Sequence, residues 1–402
     1  MSVRLVPAVV LVVVAVLASC GNEPGPDRRS DAGVAEAATA TWERLPDPPL
    51  HPRRGAAIGW TGLELVAFGG STFLCPPAAS CVAPTTPPFA DGAALDPKTR
   101  TWRRIADAPV PVAEHLVPVT LGGDVYVVAP PWPADDEQAS SVLLRYRSAD
   151  DTWDQYPLPS AWRSRGLEAA GSSLVVYPTS DERGELPDLR FDPERETWTE
   201  LPPDPLSPAF DRRYVWTGDR LHLFAKAMTP SPGGESGPSV VQAARLDGES
   251  WTRLPDGDLL SFWSVIEHDG RVVSIELGCA DGGATNNYGR CIPFGGIYDA
   301  ATETWSTLPD APRAGEKDVR SSGAITDDKV LITQLGHPML DLTTDTWFEL
   351  PRIDPGDKGD GSIGRTVVGA GPYALAVGGS RFDPAHPAGA LLEDAWLWSP
   401  RG

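Results

Sequence analysis

The sequence predicts an all-β fold assembled from repeated four-stranded units. Three observations carry this. A tryptophan-centred phrase recurs about every 51 residues. The 42 prolines are scattered from end to end, which excludes long helices and coiled coils, because proline removes a backbone donor and clashes with the preceding turn. Short β-branched or aromatic apolar runs alternate throughout with Gly, Asp and Pro turn signals.

Composition narrows the function classes. The 402 residues carry 34 basic and 55 acidic side chains, a formal charge of −21. A nucleic-acid surface needs clustered Lys and Arg, so the acidic balance argues against one. At 41% hydrophobic and 22% charged, the chain is no disordered polyelectrolyte.

The N-terminus reads as an address. After Arg4, residues 5 to 17 are apolar apart from Pro7, too short for a membrane span of about 20 residues and suited to a signal-peptide core. It ends in Leu17-Ala18-Ser19-Cys20-Gly21. Small residues before a cysteine at that place resemble the lipobox of bacterial lipoproteins. The resemblance implies lipidation of Cys20, removal of residues 1–19, and an extracytoplasmic, lipid-anchored protein. Residues 21 to 40 hold no aromatic and only Val34 among the larger aliphatics. They read as a tether that cannot bury enough surface to offset chain entropy, so the domain organisation expected is signal 1–19, anchor and tether 20–40, and folded domain 41–402.

The repeat phrase runs TATWERLPDPP at Trp42, DPKTRTWRRIADAP at Trp102, DDTWDQYPLP at Trp153 and DPERETWTELPPDP at Trp198. It returns at Trp251, Trp305 and Trp347. Before each lie three further strands. The first is small and apolar, as in RRGAAIGW, and a tight turn leads to a second such as LELVAFGG or RLHLFA. A variable loop precedes the third, as in GAALD or DLRFD. An Asp-led turn such as DPKT or DPER follows, since Asp bonds the backbone ahead and Pro presets φ. The fourth strand carries the Trp.

These units resemble the kelch family of β-propellers from Trp42 to the C-terminus. Gly69-Gly70 and Gly378-Gly379 stand where kelch repeats carry a double glycine, and the middle units are degenerate there. Their spacing matches the kelch period of roughly 50 residues. Counting first strands gives seven, near Arg54, His115, Arg165, Arg213, Trp263, Arg320 and Arg365. The leading Trp42 phrase lacks its first three strands, and the trailing unit lacks a fourth. The expected fold is therefore a seven-bladed kelch-like propeller whose last blade is closed by the N-terminal Trp42 strand.

The four remaining cysteines pair most simply as Cys75 with Cys81 and Cys279 with Cys291, each stapling one loop. No C-x-x-C occurs and no His lies within ten residues of either pair, which argues against zinc. The repeated tryptophans read as packing between blades rather than a stacking platform. The resemblance brings galactose oxidase to mind, but the copper centre, the Tyr–Cys crosslink and the second domain of that family have no counterpart here. No H-E-x-x-H, G-x-S-x-G or P-loop pattern appears, so no metal, cofactor or catalytic residue is assigned.

Propellers converge first strands on a central channel. Arg54, Arg165, Arg213, Arg320 and Arg365 stand at or just before first-strand entry. Two roles are open to them. They can form a ring for a carboxylate, phosphate or anionic glycan, or pair with acids such as Glu114, Glu168, Glu316 and Asp318. The loops on that face are long at residues 71–91, 226–239, 278–293 and 380–391, where function usually sits. The stapled CADGGATNNYGRC, with Tyr288 and Arg290, is the leading single candidate. The expected function is non-catalytic binding of a partner protein or glycan by an anchored, monomeric propeller; the alternative is a carbohydrate-active oxidase, epimerase or lyase working at the channel mouth.

Overall fold

The computed structural model describes residues 41–76, 79–82, 84–133, 139–159, 166–228, 241–257, 265–274, 296–309, 323–327, 329–332, 338–349, 353, 362–363 and 365–399. All regular structure among them is β-strand, arranged as a β-propeller. Strand β1 (Trp42–Arg44) comes first. Six blades of four consecutive antiparallel strands follow. Blade 1 is β2 (Ala57–Trp60), β3 (Leu65–Phe68), β4 (Gly92–Asp96) and β5 (Thr101–Ile105). Blade 2 is β6 (Val119–Leu121), β7 (Asp124–Ala129), β8 (Val142–Arg147) and β9 (Thr152–Pro157). Blade 3 is β10 (Gly166–Ala170), β11 (Ser173–Tyr177), β12 (Leu189–Asp192) and β13 (Thr197–Glu200). Blade 4 is β14 (Ala209–Trp216), β15 (Leu221–Ala227), β16 (Val241–Asp247) and β17 (Ser250–Arg253). Blade 5 is β18 (Val265–His268), β19 (Arg271–Ser274), β20 (Gly296–Asp299) and β21 (Thr304–Thr307). Blade 6 is β22 (Gly323–Ile325), β23 (Lys329–Ile332), β24 (Pro338–Asp341) and β25 (Thr346–Glu349).

Six such blades are observed where seven were expected. Beside the six blades lies one composite four-stranded sheet, ordered β1-β31-β28-β27, made of β27 (Thr366–Ala370), β28 (Tyr373–Val377), β31 (Ala395–Trp398) and the N-terminal strand. Trp42 pairs with Trp398 and Arg44 with Trp396. A second departure lies in the loop expected over 380–391. It is a hairpin, β29 (Ser380–Asp383) and β30 (His386–Leu391), joined by β26 (Ser362–Ile363) into a small separate sheet. The reason is local. Asp383 Oδ1 accepts the Ala385 and His386 amides at 2.8 Å each, the same Asp-led turn that closes the blades.

Those turns follow the side-chain chemistry. Asp96 Oδ1 accepts the amides of Lys98 and Thr99 at 2.8 and 3.2 Å, and Asp192, Asp299 and Asp341 repeat the arrangement. The residue before each Thr-Trp then turns left-handed, at φ between 52 and 58° for Arg100, Asp151, Glu196, Glu303 and Asp345. The double glycines answer to space as well as φ. A Cβ on Gly70 (φ +82°) would meet the Arg54 carbonyl at 2.6 Å, and one on Gly378 (φ +60°) would meet the Arg53 carbonyl at 2.3 Å.

The core lies between blades. Phe68 of blade 1 packs edge-on against Trp153 of blade 2 at 5.1 Å, within an apolar cluster spanning both. Further clusters join each successive pair of blades. The composite sheet shares one cluster with blade 6, through Met339 and Trp398, and another with blade 1, through Ile58 and Leu397. First strands touch around the centre and are cross-tied: Thr366 Oγ1 donates to the Ala56 carbonyl at 3.0 Å, and Thr120 Oγ1 to that of Trp60.

Candidate functional site

The entry ends of the first strands and the loops between second and third strands share one face. Here β3 leaves through Gly69-Gly70 into the loop that Cys75 and Cys81 close, with Cα atoms 6.0 Å apart. This disulfide is the expected one. The hairpin β29–β30 reaches the same loop, since Gly389 stands beside both Phe382 and Leu74. The stapled loop and the hairpin thus form one raised lip. Val82, 87% exposed, projects from it, and Val117, 70% exposed, stands just beyond His115 in the chain.

Below the lip is a polar cluster. Arg54 Nε lies 3.1 Å from Glu114 Oε2, and Ser71 Oγ donates to Glu114 Oε1. His115 Nε2 sits 3.4 Å from that same Oε2 and 3.4 Å from the Arg54 guanidinium. Burial works against the charge on Glu114, but the His115 ring, the Ser71 hydroxyl and Arg54 together hold it below the usual carboxylate range. His115 adopts φ 60° and donates its amide to the Gly55 carbonyl at 2.9 Å. The carboxylate therefore ties the start of the stapled loop to the blade 1 entry. Of the two roles open to Arg54, the observed geometry is pairing with Glu114.

The other arginines are placed as follows. Arg365 donates to both carboxylate oxygens of Asp394 at 3.1 and 3.2 Å. Arg213 lies on β14 and faces Glu168, Tyr177 and Asp211. Its neighbour Arg212 is fully buried, donating to Asp188 at 2.9 and 2.7 Å, to Asp204 at 2.9 Å and to the Pro178 carbonyl at 3.0 Å. Arg212 is thus a buried, paired arginine and not one held open for a ligand. A bulge between Phe210 and Arg213 turns the two side chains to different surroundings. Arg165, Arg320, Cys20, Cys279, Tyr288, Arg290 and Cys291 lie outside the described residues.

One site feature escapes sequence reasoning. Arg53, not Arg54, is the buried arginine of blade 1. It donates to Asp91 at 2.7 and 3.1 Å and to the Gly69 carbonyl at 3.0 Å, with its guanidinium 4.1 Å from the Phe89 ring. Asp91, Asp188 and Asp394 each stand immediately before a third strand. An Asp there, matched with an Arg near a first strand, is the signal that would have found these pairs.

Ser71 and His115 meet the same carboxylate rather than each other, so His115 is not positioned to take a proton from Ser71. Among the described residues no three His, Cys, Asp or Glu side chains gather as a metal site. No protein-family model matches the chain, and no curated protein matches it.

Proposed function

We propose that the chain is an anchored extracytoplasmic binding protein, which engages a partner protein or glycan on the lip side of its propeller without catalysis. The observation that carries this reading is the meeting of two long loops where Leu74 stands beside Gly389, above the first-strand entries. One is braced by Cys75–Cys81 and the other by its own hairpin. A loop braced before binding loses less conformational freedom when it binds. The arginines described on this face hold carboxylates, so recognition falls to the lip and its exposed apolar and polar side chains. We take the composite sheet as a seventh, kelch-like blade closed by the N-terminal strand. Its cores with both blade 6 and blade 1 support this, and the signal-like residues 1–20 support the anchor.

The test is a glycan array and a cross-linking capture with the chain beginning at Gly21. Saturable binding that is lost when residues 72–88 are replaced by a short Gly-Ser link supports the reading. Turnover of a carbohydrate by the same preparation would overturn it.

A further inference from the structure

Residues 71–90 carry no charged side chain and no histidine, in a chain where 22% of residues are charged. Between the Cys75–Cys81 bridge and Phe89 runs Pro84-Thr85-Thr86-Pro87-Pro88. This uncharged stretch forms the outer part of the lip. Val82 is 87% exposed, and Thr85, Thr86 and Pro87 are exposed after it.

The backbone explains why the two threonines stand out. Pro84, Pro87 and Pro88 lack an amide donor, so the stretch cannot join a β-ladder. Pro87 also keeps Thr86 out of the helical region. The chain bends at Thr85 and Thr86, and no described residue bonds to either hydroxyl or either amide. Both flanks are fixed. Cys75–Cys81 closes one side. On the other, Phe89 donates its amide to the Gly70 carbonyl at 2.8 Å and accepts that of Val112 at 3.0 Å. Exposed threonines elsewhere are held differently. Thr99 and Thr302 tie their hydroxyls to Thr101 and Thr304 at 2.7 and 2.8 Å. Thr152, Thr197 and Thr304 lie on paired fourth strands. Thr72 sits in a turn closed by the Phe73 amide on Ser71 Oγ at 2.9 Å.

We propose that Thr85 and Thr86 are sites of O-linked glycosylation by a neutral hexose. A transferase needs an exposed hydroxyl on unpaired backbone that it can bind without unfolding the domain, and only this bend of the lip offers two side by side among the described residues. Threonine between prolines is also the composition of O-glycosylated segments. In the transfer, the threonine Oγ bonds to the anomeric carbon of a sugar held on phosphate. The bond from that carbon to the phosphate oxygen breaks, the phosphate leaves with the electron pair, and the hydroxyl proton passes to a base of the transferase. The attached hexose gives the lip a polar surface beside Val82 that residues 71–90 do not supply themselves. The proposal rests on the proposed export of the chain, and it makes the lip a sugar-bearing surface.

Mass spectrometry of the full chain, purified from the cells that make it, tests this. The tryptic peptide 55–98 should carry one or more hexose increments in most molecules, and electron-transfer fragmentation should place them on Thr85 or Thr86. The double variant Thr85→Ala/Thr86→Ala should lose them with the fold kept, because both side chains are exposed. Thr85→Ser/Thr86→Ser should retain them. A bare peptide 55–98, or sugar on Ser71, Thr72 or Ser80 instead, overturns the proposal. The N-terminal peptide of the same sample reports the anchor separately. Lipid on Cys20 with a bare 55–98 overturns the glycosylation and leaves the anchored reading standing. Sugar on Thr85 or Thr86 without lipid supports the glycosylation and removes the anchor.

Discussion

The indole Nε1–H of Trp102 donates to the carbonyl of Pro46 at 3.0 Å, across the boundary from blade 1 to the N-terminal segment. The acceptor stands four residues past the preceding repeat tryptophan, Trp42. The same offset recurs for Trp153 with Ala106 at 2.8 Å, Trp251 with Pro202 at 2.9 Å, Trp305 with Pro255 at 2.9 Å and Trp347 with Pro309 at 3.0 Å. The Trp-x-x-Leu-Pro phrase thus encodes a donor for one neighbour and an acceptor for the other. Trp153→Phe should cost about 1–3 kcal/mol, because a partly buried carbonyl loses its donor. Trp305→Phe, at a more exposed bond, should cost about 1 kcal/mol or less. Urea denaturation of the two variants checks the order.

Arg212 and Arg54 separate by burial. Arg212 is enclosed with Asp188 and Asp204, and burial holds Asp188 above its usual carboxylate range even beside the guanidinium. Arg212→Ala strands two acids and should cost about 3–5 kcal/mol. Arg54 and Glu114 are less enclosed, at 13 and 19% side-chain exposure, so Arg54→Ala should cost less, about 1–3 kcal/mol. Equal losses in unfolding free energy would contradict this assignment.

Two groups, the buried His222 and the half-buried Glu168, pull the pH dependence in opposite directions. His222 is fully buried on β15 beside Phe224 and Tyr298, and burial lowers it from 6.5 to about 4. Between those values the unfolded chain binds more protons, so its contribution is full above pH 6.5 and is lost as the pH falls toward 4. Glu168 is raised from 4.5 to about 7. There the native state binds more protons, so its contribution is full below pH 4.5 and is lost as the pH rises through 7. The effects oppose between pH 4.5 and 6.5, each on the order of 2–3 kcal/mol over its whole window. Single variants unmask them. Stability of His222→Gln should fall with rising pH relative to the natural chain, and that of Glu168→Gln should rise. Thermal unfolding in steps from pH 4.5 to 7.5 reads both slopes.

How much of this the residues announce depends on the range of the interaction. The Asp-led turns, the tryptophan strands and the Cys75–Cys81 staple follow from contacts within a few residues, so pattern reading placed them. Arg53 and Arg54 were not told apart, because strand-entry parity is set by the Arg54–Ser71 bridge to the far end of β3. The burial of Arg212 depends on Asp188, 24 residues earlier, and on a bulge with no local sequence marker. Asp383-Pro384 did mark the β29–β30 turn; the repeat frame assigned that stretch to a loop and hid it.

Lipidation follows from the proposed anchor. Cells given a clickable fatty-acid analogue should label the chain in the membrane fraction, and Cys20→Ala should abolish the label. Label persisting in Cys20→Ala would place the modification elsewhere and remove the lipobox reading.

The proposed closure by the N-terminal strand makes the sharpest demand on stability. Trp42 is 7% exposed and lies in one cluster with Met339 of blade 6 and Trp398 of the composite sheet. Strand β1 also covers the outer edge of β31, satisfying backbone groups that would otherwise face water. Removing it takes away a large buried side chain and three paired residues from a sheet that shares cores with two blades. Trp42→Ala alone should cost about 3–5 kcal/mol, as for large aromatic truncations in cores. A chain beginning at Arg53 should melt well below one beginning at Gly21, and the loss should extend to blade 1 and blade 6. Hydrogen exchange locates it: reduced protection in β2 and β24, with β15 little changed, is the pattern expected of an opened ring. Unfolding temperatures that coincide for the two chains would mean that the sheet stands without β1, and the closure reading would fall.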